Sequence, residues 1–318
     1  MNRYYTLTLN PALDRTMYFD TFVPGALNRA VSPSQLTLGS KGINVSRFLA
    51  VCGAEAPAYG FWGGAMGEQM LAMLHQEGIE TRFVQTAAET RLNIKIITPD
   101  GTGTEANERG GPITEAECEI LLNALTEQAK RDQNAGDTAW LFLGGSIPQG
   151  VDKNVYNLLV EKMGKLGVRT VLDCDGEALK QGVASCPYLI KPNLFELSQF
   201  AGAEIRSPEQ AVEISGNIYR ETKVRVLCTM GGQGALYAGP EGIFTVDAPH
   251  VTVRGFTGAG DTFLAAFIFR RANGDSVSQA LAFAAGAAAA KVEMPGSTMP
   301  ALPDAQRYAA QRHTEAKQ

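Results

Sequence analysis

Short apolar runs recur along the chain, and each of them ends at small or turn-forming residues. Most of these runs are followed by a helical pattern of apolar positions, and a repeated order of strand then helix predicts a parallel sheet with helices on both faces. The predicted strands are residues 5–9, 140–143, 170–172, 188–190 and 224–229. We therefore expect an α/β fold whose ligands bind beyond the carboxyl ends of the strands.

Two further segments predict short antiparallel strands with no helix between them. They pair residues 16–23 with 31–38, and residues 92–98 with 103–107 through a turn at Pro99-Asp100-Gly101. A small sheet of this kind, inserted into an α/β protein, can act as a lid over a site. The predicted core comprises residues 1–15, 39–90 and 108–318, and the predicted lid comprises residues 16–38 and 91–107. The polar tail after Pro303 is expected to fray.

The composition restricts the classes of function. Hydrophobic residues make up 45% of the 318 positions and charged residues 19%, which is typical of a globular protein. The formal net charge of −5 argues against a nucleic-acid partner, because binding a phosphate backbone needs a concentrated Lys and Arg surface. No run resembles a signal peptide or a membrane span. Five scattered cysteines without a C-x-x-C pair predict reduced thiols in a cytoplasmic protein.

The most informative motif is a turn of small residues, from Thr257 to Asp261, that runs directly into an apolar helix. The first amides of a helix lack intrahelical partners and carry partial positive charge, so those of Gly258, Ala259 and Gly260 can stabilise charge on a transferring phosphoryl group. The carboxylate of Asp261 is placed to reach a substrate hydroxyl. A plain helix cap is the alternative interpretation of this turn.

A second small-residue turn, Gly39-Ser40-Lys41-Gly42, also leads into a helix. Lys41 suits a phosphate group, and Asn44 can form hydrogen bonds with sugar hydroxyls. The turn resembles a P-loop in its physics, but it lacks the G-x-x-x-x-G-K-[ST] spacing. A Walker-type NTPase is therefore excluded.

Two more strand ends carry candidate nucleotide and metal groups. Asn193 and Glu196 are three residues apart, so they share one face of a helix that starts near Asn193, and their oxygens suit a hydrated Mg²⁺. A capping box is the alternative interpretation. The glycine-rich segment after Thr229, with Gly231 and Gly234, predicts either a nucleotide-binding loop or a hairpin turn. A Rossmann site is unlikely here because another strand, not a helix, is predicted to follow.

Asp14 and Arg91 are candidates for substrate binding. Asp14 follows the first predicted strand and can accept hydrogen bonds from sugar hydroxyls, although a turn-forming Asp is an equal alternative. Arg91 opens a predicted lid strand and can pair with a substrate phosphate, although a solvated surface charge is the alternative. The three histidines lack metal-ligand spacing.

Taken in order, these motifs resemble the PfkB branch of the ribokinase family, and within it the group of 1-phosphofructokinases and tagatose-6-phosphate kinases. The similarity extends over nearly the whole chain. It runs through the segments TLTLNPALDRT, GSKGINVSRFL, ETRLNIKI, NERGGP, GGSIPQG, DGEAL, KPNLFEL, TMGGQGAL and TGAGDTF. Such an ordered series is far more specific than any single motif.

The resemblance implies a ribokinase-like three-layer α/β/α core with a mostly parallel sheet, a small β-sheet lid and a homodimer formed through that lid. It implies an enzyme that uses ATP and Mg²⁺ to phosphorylate a ketohexose phosphate, fructose 1-phosphate in the first instance. Tagatose-6-phosphate kinase and 6-phosphofructokinase activities of the same family are the alternatives. A catalytically inactive sensor of sugar phosphate or nucleotide is the alternative from another class of protein.

The resemblance also assigns roles to individual residues. Asp261 would be the general base, with the amides of Gly258, Ala259 and Gly260 as the anion hole. The residues implied at ATP are Lys191, Asn193, Thr229, Gly231 and Gly234, and those implied at Mg²⁺, through water, are Asn193 and Glu196. The residues implied around the sugar phosphate are Asp14, Gly39, Lys41, Gly42, Asn44, Arg91 and Ser146.

Three positions depart from the family pattern. Ser40 stands where the family usually has glycine, which predicts a slightly narrower sugar loop. The usually polar segment before the anion hole contains Phe256 here, which argues against a monovalent-cation site built from its oxygens. Ala26 and Asn28 replace lid cations that reach across the dimer in some relatives, and Arg29 is the possible substitute.

Overall fold

In residues 1–99 and 103–317, the part of the chain that this computed structural model describes, ten strands form one large sheet and four form a smaller one. The predicted turn at Pro99-Asp100-Gly101 lies outside this part from Asp100 onward. The strands are β1 (Asn2–Thr8), β2 (Ala12–Tyr18), β3 (Gln35–Leu38), β4 (Ala58–Trp62), β5 (Thr81–Gln85), β6 (Arg91–Ile97), β7 (Gly103–Asn107), β8 (Thr138–Gly144), β9 (Arg169–Asp173), β10 (Leu189–Ile190), β11 (Arg225–Thr229), β12 (Ala235–Gly239), β13 (Gly242–Val246) and β14 (Thr314–Lys317). The helices are α1 (Lys41–Val51), α2 (Gly64–Gln76), α3 (Glu115–Asn134), α4 (Val155–Lys165), α5 (Gly176–Ala184), α6 (Leu194–Ala201), α7 (Pro208–Thr222), α8 (Ala259–Ala272), α9 (Val277–Val292) and α10 (Leu302–Ala309).

The large sheet is parallel through the order β11-β10-β9-β8-β1-β4-β5. Strands β12, β13 and β14 extend it beyond β11 as an antiparallel edge. This topology confirms the predicted α/β fold with a mostly parallel sheet. It also brings the loops after the parallel strands to one edge, where ligands of such folds bind.

Consecutive residues of the central strands face opposite sides of the large sheet, and each side has its own layer of helices. Leu141 and Leu143 pack with residues of α3 to α7, whereas Trp140 and Phe142 pack with residues of α1, α8, α9 and α10. Both faces of the strands are apolar because parallel sheets are covered on both sides. The predicted three-layer α/β/α arrangement is therefore confirmed.

The smaller sheet has the order β3-β2-β6-β7, and only the β2–β6 pair is parallel. The predicted antiparallel pair of β6 and β7 is confirmed. The other predicted antiparallel pair is present but displaced, because β2 covers Ala12–Tyr18 instead of residues 16–23 and β3 covers only Gln35–Leu38. The segment between them contains Pro24 and Pro33, and proline interrupts strand pairing.

The C-terminal segment is ordered into elements, contrary to the predicted fraying after Pro303. Helix α10 packs closely on α9, where Gly286 has no side chain opposite the Ala305 carbonyl. Strand β14 then pairs with β13 at the sheet edge. Tertiary packing thus orders a polar sequence with little strand propensity.

Among the described helices, none has the length and apolar character required to cross a bilayer.

Candidate active site

A cavity of about 620 Å³ lies at the carboxyl edge of the parallel strands. It collects residues from loops that are far apart in the sequence, as expected for this class of sheet. The predicted site residues that line it are Lys41, Lys191, Asn193, Glu196, Thr229, Gly231, Gly234, Ala259, Gly260 and Asp261. The groups predicted to bind the nucleotide therefore share one cavity with the predicted base.

Asp261 lies in the first turn of α8 and is 8% exposed, with its side chain at the cavity. Its Oδ2 accepts a hydrogen bond of 2.8 Å from Nδ2 of Asn44, which belongs to α1. Gly258 precedes the helix with φ 79°, a conformation that favours glycine. The Ala259 amide makes a long hydrogen bond of 3.3 Å to the Phe256 carbonyl. The start of α8 thus offers a carboxylate beside a helix N-terminus.

The environment of Asp261 makes it a stronger base than an ordinary aspartate. Burial, followed by the nearby carboxylate of Asp173, raises the pKa of Asp261 to about 6. Lys41, the hydrogen bond from Asn44, and Lys191 oppose this rise without cancelling it. The side chain is therefore mainly ionised at neutral pH and can accept a proton.

The raised pKa predicts an acidic limb in the pH profile. A base that must be ionised loses activity as pH falls through its pKa, so kcat/KM should fall below about pH 6, by about tenfold per unit well below it. Initial rates measured between about pH 5 and 8 at constant ionic strength test this pH dependence. The expected acceptor is itself a phosphate monoester, and the second ionisation of such a group also has a pKa of about 6. The pH profile of the residual activity of Asp261→Asn is therefore the control. A limb that persists unchanged in that variant belongs to the acceptor and contradicts the assignment.

A network of charges lies at the base of the cavity. Nζ of Lys41 donates a 2.7 Å hydrogen bond to Oδ1 of Asp173 and lies 3.8 Å from Oε1 of Glu196. Nζ of Lys191 lies 3.3 Å from Oδ2 of Asp173. Burial acts to lower the pKa of Lys41, but the carboxylates of Asp173 and Glu196 raise it well above its ordinary value. Lys41 therefore stays cationic beside the cavity.

Asn193 and Glu196 form the capping box that was the alternative interpretation. Oδ1 of Asn193 accepts from the Glu196 amide, and Oε2 of Glu196 accepts from the Asn193 amide, both at 2.8 Å. The box orients Glu196 so that its Oε1 is directed toward Lys41. The Glu196 side chain can thus cap the helix and also contribute to the cavity.

The remaining walls of the cavity are glycine-rich or apolar, apart from His250. Gly231 and Gly234 have φ of 59° and 90° in the tight turn between the antiparallel strands β11 and β12, so the hairpin interpretation is confirmed and the turn also lines the cavity. Helix α9 contributes short apolar side chains to another part of the lining. They are Ala285, Ala288, Ala289 and Val292.

Asp14 lies within β2 of the smaller sheet, so the interpretation as a turn residue is wrong. Its Oδ2 accepts a 2.6 Å hydrogen bond from Nζ of Lys95, and its Oδ1 accepts a 3.0 Å hydrogen bond from Nδ2 of Asn93. Nζ of Lys95 also donates to Oγ1 of Thr257 at 2.7 Å. Lys95 thus connects the smaller sheet to the turn before α8.

The glycines of the second small-residue turn allow close packing beside Asp14. A Cβ atom on Gly39 would lie 2.6 Å from Oδ1 of Asp14, and one on Gly42 would lie 2.5 Å from Oγ1 of Thr8. Ser40 has φ 81°, a conformation that favours glycine, and its hydroxyl accepts a 2.9 Å hydrogen bond from the Ala12 amide. That bond offsets part of the backbone strain.

Arg91 and Ser146 form a second group, joined through Asn10. Nε of Arg91 donates to the Asn10 carbonyl at 3.1 Å, and Nδ2 of Asn10 donates to Oγ of Ser146 at 3.1 Å. Arg91 is also bonded to the Glu108 carbonyl. These residues do not line the 620 Å³ cavity. The predicted sugar-phosphate residues are therefore divided between Asp14 with its neighbours, Arg91 with Ser146, and Lys41 and Asn44 at Asp261.

Three residues of the site were missed by the sequence reasoning. Asp173 is the last residue of β9, so its position at the carboxyl end of a strand was a usable signal. Arg91, Asn93 and Lys95 occupy every second position of β6, and residues two apart in a strand share a face. That period would have identified Asn93 and Lys95 once Arg91 had been chosen.

The arrangement has the parts of a phosphotransferase site. A helix N-terminus can stabilise phosphoryl charge, lysines lie beside it, and a carboxylate with a raised pKa is held by a hydrogen bond. The fold and site therefore define a kinase of the ribokinase-like structural class. Residues 7–305 match the family described as pfkB family carbohydrate kinase, and the chain belongs to that family.

Curated relatives and solved structures agree with this assignment. The chain is 35% identical to a 1-phosphofructokinase of Bacillus subtilis, covering 83% of this chain and 84% of that protein. It is 32% identical to a 1-phosphofructokinase of Borreliella burgdorferi, covering 90% and 91%. It is 31% identical to a tagatose-6-phosphate kinase of Staphylococcus epidermidis, covering 82% of each.

The phosphofructokinase-2 of Escherichia coli, solved with substrates and products, superposes with a TM-score of 0.88 at 29% identity, covering 97% of this chain and 98% of that chain. The same enzyme has been solved in complex with potassium, with a TM-score of 0.84 at 29% identity, covering 98% and 99%.

Proposed function

We propose that this kinase transfers the γ-phosphoryl group of ATP to a ketohexose phosphate, with fructose 1-phosphate as acceptor and fructose 1,6-bisphosphate as product. The observation that carries the proposal is the hydrogen bond between Asn44 and Asp261. It joins the sugar-side turn to the anion-binding helix, so an acceptor hydroxyl held by Asn44 is next to the base. Relatives named 1-phosphofructokinase support the choice of acceptor.

In the proposed mechanism, positioning and charge supply most of the rate. Asn44 holds Oδ2 of Asp261 toward the acceptor hydroxyl, and the ionised carboxylate takes its proton as the bond to phosphorus forms. The amides of Gly258, Ala259 and Gly260 would face the equatorial phosphoryl oxygens, with the Ala259 amide leaving its long bond to the Phe256 carbonyl. Lys41 supplies positive charge from the base of the cavity.

ATP would occupy the 620 Å³ cavity, with Lys191 near its phosphates and Thr229, Gly231 and Gly234 along its side. Among the described residues, no group of three or more His, Cys, Asp or Glu side chains could hold a metal ion. A single carboxylate such as Glu196, with Asn193 beside it, fits Mg²⁺, which keeps several waters and binds nucleotide phosphates. The bound ion would neutralise phosphate charge.

The sugar phosphate would lie between the two polar groups at the smaller sheet. Asp14, beside Gly39, would accept hydrogen bonds from sugar hydroxyls through lone pairs that Asn93 and Lys95 leave free, and Lys95 adds a cation there. Arg91 and Ser146 form the other group and would hold the acceptor's own phosphate. The two groups are neighbours, because Nη1 of Arg91 donates a 3.4 Å hydrogen bond to Oδ1 of Asn93, whose Nδ2 donates to Asp14. Neighbouring groups of this kind suit a small acceptor that carries both hydroxyls and a phosphate.

The acceptor is tested by ADP release over a panel of hexose phosphates, pentoses and nucleosides with Mg²⁺-ATP. We expect the highest kcat/KM with fructose 1-phosphate. A higher value with tagatose 6-phosphate or fructose 6-phosphate would instead select an alternative named by a relative or a structural neighbour. Turnover of nucleosides alone would contradict the substrate class.

An inactive sensor is the less favoured alternative. A protein that only binds ligands does not need a buried carboxylate with a raised pKa, yet Asp261 is retained together with the Asn193–Glu196 pair. ADP release that depends on both Mg²⁺ and the acceptor separates the two functions.

The smaller sheet is also the proposed lid and dimer interface. The segment between β2 and β3 exposes Val23, Leu27 and Val31 by 52%, 79% and 56%, and apolar side chains of this kind suit a contact between two copies. Light scattering after size exclusion, with and without Leu27→Glu, tests a homodimer.

All five cysteines are free thiols, which agrees with the predicted cytoplasmic location.

A further inference from the structure

Lys291, in the last turn of α9, is a fully buried lysine at 0% exposure. Its Nζ donates a 2.9 Å hydrogen bond to the Gly296 carbonyl. The ion pairs formed within residues 1–99 and 103–317 do not include Lys291. A buried charge without a carboxylate partner lowers the stability of the folded protein. The presence of Lys291 therefore needs an explanation other than stability.

Lys291 lies directly behind the turn that opens α8. A Cβ atom on Gly258 would be 3.5 Å from Cε of Lys291. The loop that contains Gly296 packs on the segment leading into this turn, since a Cβ atom on Gly255 would lie 3.5 Å from the Gly296 carbonyl oxygen. The ammonium therefore lies between the two loops that shape the proposed anion hole.

The charged groups that face Lys291 come from three elements, and two of the three are cations. They are Arg47 of α1, Lys95 of β6 and Asp261 of α8. Burial, followed by Arg47 and Lys95, lowers the pKa of Lys291 to about 8, while Asp261 opposes this change. The ammonium is mainly protonated at neutral pH. Arg47 and Lys95 are each paired with a carboxylate, Glu77 and Asp14, so Lys291 adds a positive charge that those pairs leave uncompensated.

We propose that Lys291 is an internal cation of the phosphoryl-transfer site, which fixes the anion-hole turn through Gly296 and adds positive charge behind it. Lys291 does not touch the reacting atoms, so it is a positioning residue. In this role it makes a bound monovalent metal ion at the turn unnecessary. The inference rests on phosphoryl transfer by this site and is independent of which sugar phosphate is the acceptor.

The first test is Lys291→Met, which keeps the length of the side chain and removes the charge. We expect kcat to fall by about 10-fold to 100-fold, less than for loss of a direct oxyanion donor, with nearly unchanged KM values. The Tm should stay level or rise, because a buried charge is removed. Lys180→Met, which removes an exposed lysine of α5, is the matched control and should keep full activity.

The second test is rescue of Lys291→Ala, which leaves space for a small cation. Ammonium or potassium chloride should raise its kcat by about tenfold over sodium chloride at equal ionic strength, whereas the wild type should respond equally to all three salts. A lysine that only packs would give no such rescue.

Three outcomes would overturn the inference. Wild-type kcat in Lys291→Met would exclude the role while leaving the proposed function intact. A loss of kcat that follows a loss of Tm, without rescue by any cation, would make the residue structural. Absence of ADP release by the wild-type enzyme with every acceptor would instead defeat the proposed function and this inference together.

Discussion

Asp261→Asn is expected to lower kcat by about 100-fold to 10,000-fold, which is the range that a positioned general base contributes. Asparagine keeps the shape of the side chain but cannot accept the acceptor's proton. The Kd of ATP should change little, because the amides at the start of α8 and the lysines of the cavity remain. Single-turnover rates and ATP titration by calorimetry separate the two effects.

The matched control is Asp175→Asn. Asp175 is an aspartate that follows strand β9. It is exposed and is not among the residues that line the cavity. Its replacement should leave kcat within about twofold, as for a surface change away from the reaction. Unchanged turnover in Asp261→Asn would remove this carboxylate from the base role.

Lys41→Met should lower kcat/KM by about 100-fold to 1,000-fold, comparable to the loss of one oxyanion donor. The substitution removes a cation from the cavity and takes from Asp173 its 2.7 Å hydrogen bond. Because Lys41 acts to lower the pKa of Asp261, its loss should also move the acidic limb of kcat/KM to higher pH. Full pH profiles of both enzymes measure the displacement.

Lys180→Met serves here too as the exposed control, since it alters the net charge by the same amount. A lower kcat/KM in Lys41→Met with the limb at its original pH would mean that Lys41 binds ligand without acting on Asp261. The electrostatic connection between these residues would then be wrong.

Five of the seven parallel strands in the described part of the large sheet, namely β1, β8, β9, β10 and β11, could be predicted because they are short apolar runs bounded by turn residues, whereas β4 and β5 were not predicted. Local pattern decided these elements, and the order of strand then helix decided that they are parallel. The smaller sheet was predicted less well, since β2 begins at Ala12 and β3 is only four residues long. Strand β14 was not anticipated, because its polar sequence becomes a strand only by pairing with the edge of β13.

The site shows the same division between local and long-range information. Residues next to glycine-rich turns were identified because the turn itself marks them, whereas Asp173 at the end of β9 was missed. Lys291 is a different case, since one lysine in an alanine-rich helix carries no local sign that it lies behind Gly258. Its position depends on how α8, α9 and the following loop pack, which sequence pattern alone does not specify.

The alanine wall of the cavity has a consequence for nucleobase selection. Ala285, Ala288, Ala289 and Val292 present methyl groups, which have neither donors nor acceptors. Such a surface senses the outline and thickness of a purine ring but is indifferent to the groups on its hydrogen-bonding edge. Any preference of the enzyme for adenine over guanine must therefore come from polar groups elsewhere in the lining, such as His250, Asn193 and Thr229, and not from this wall.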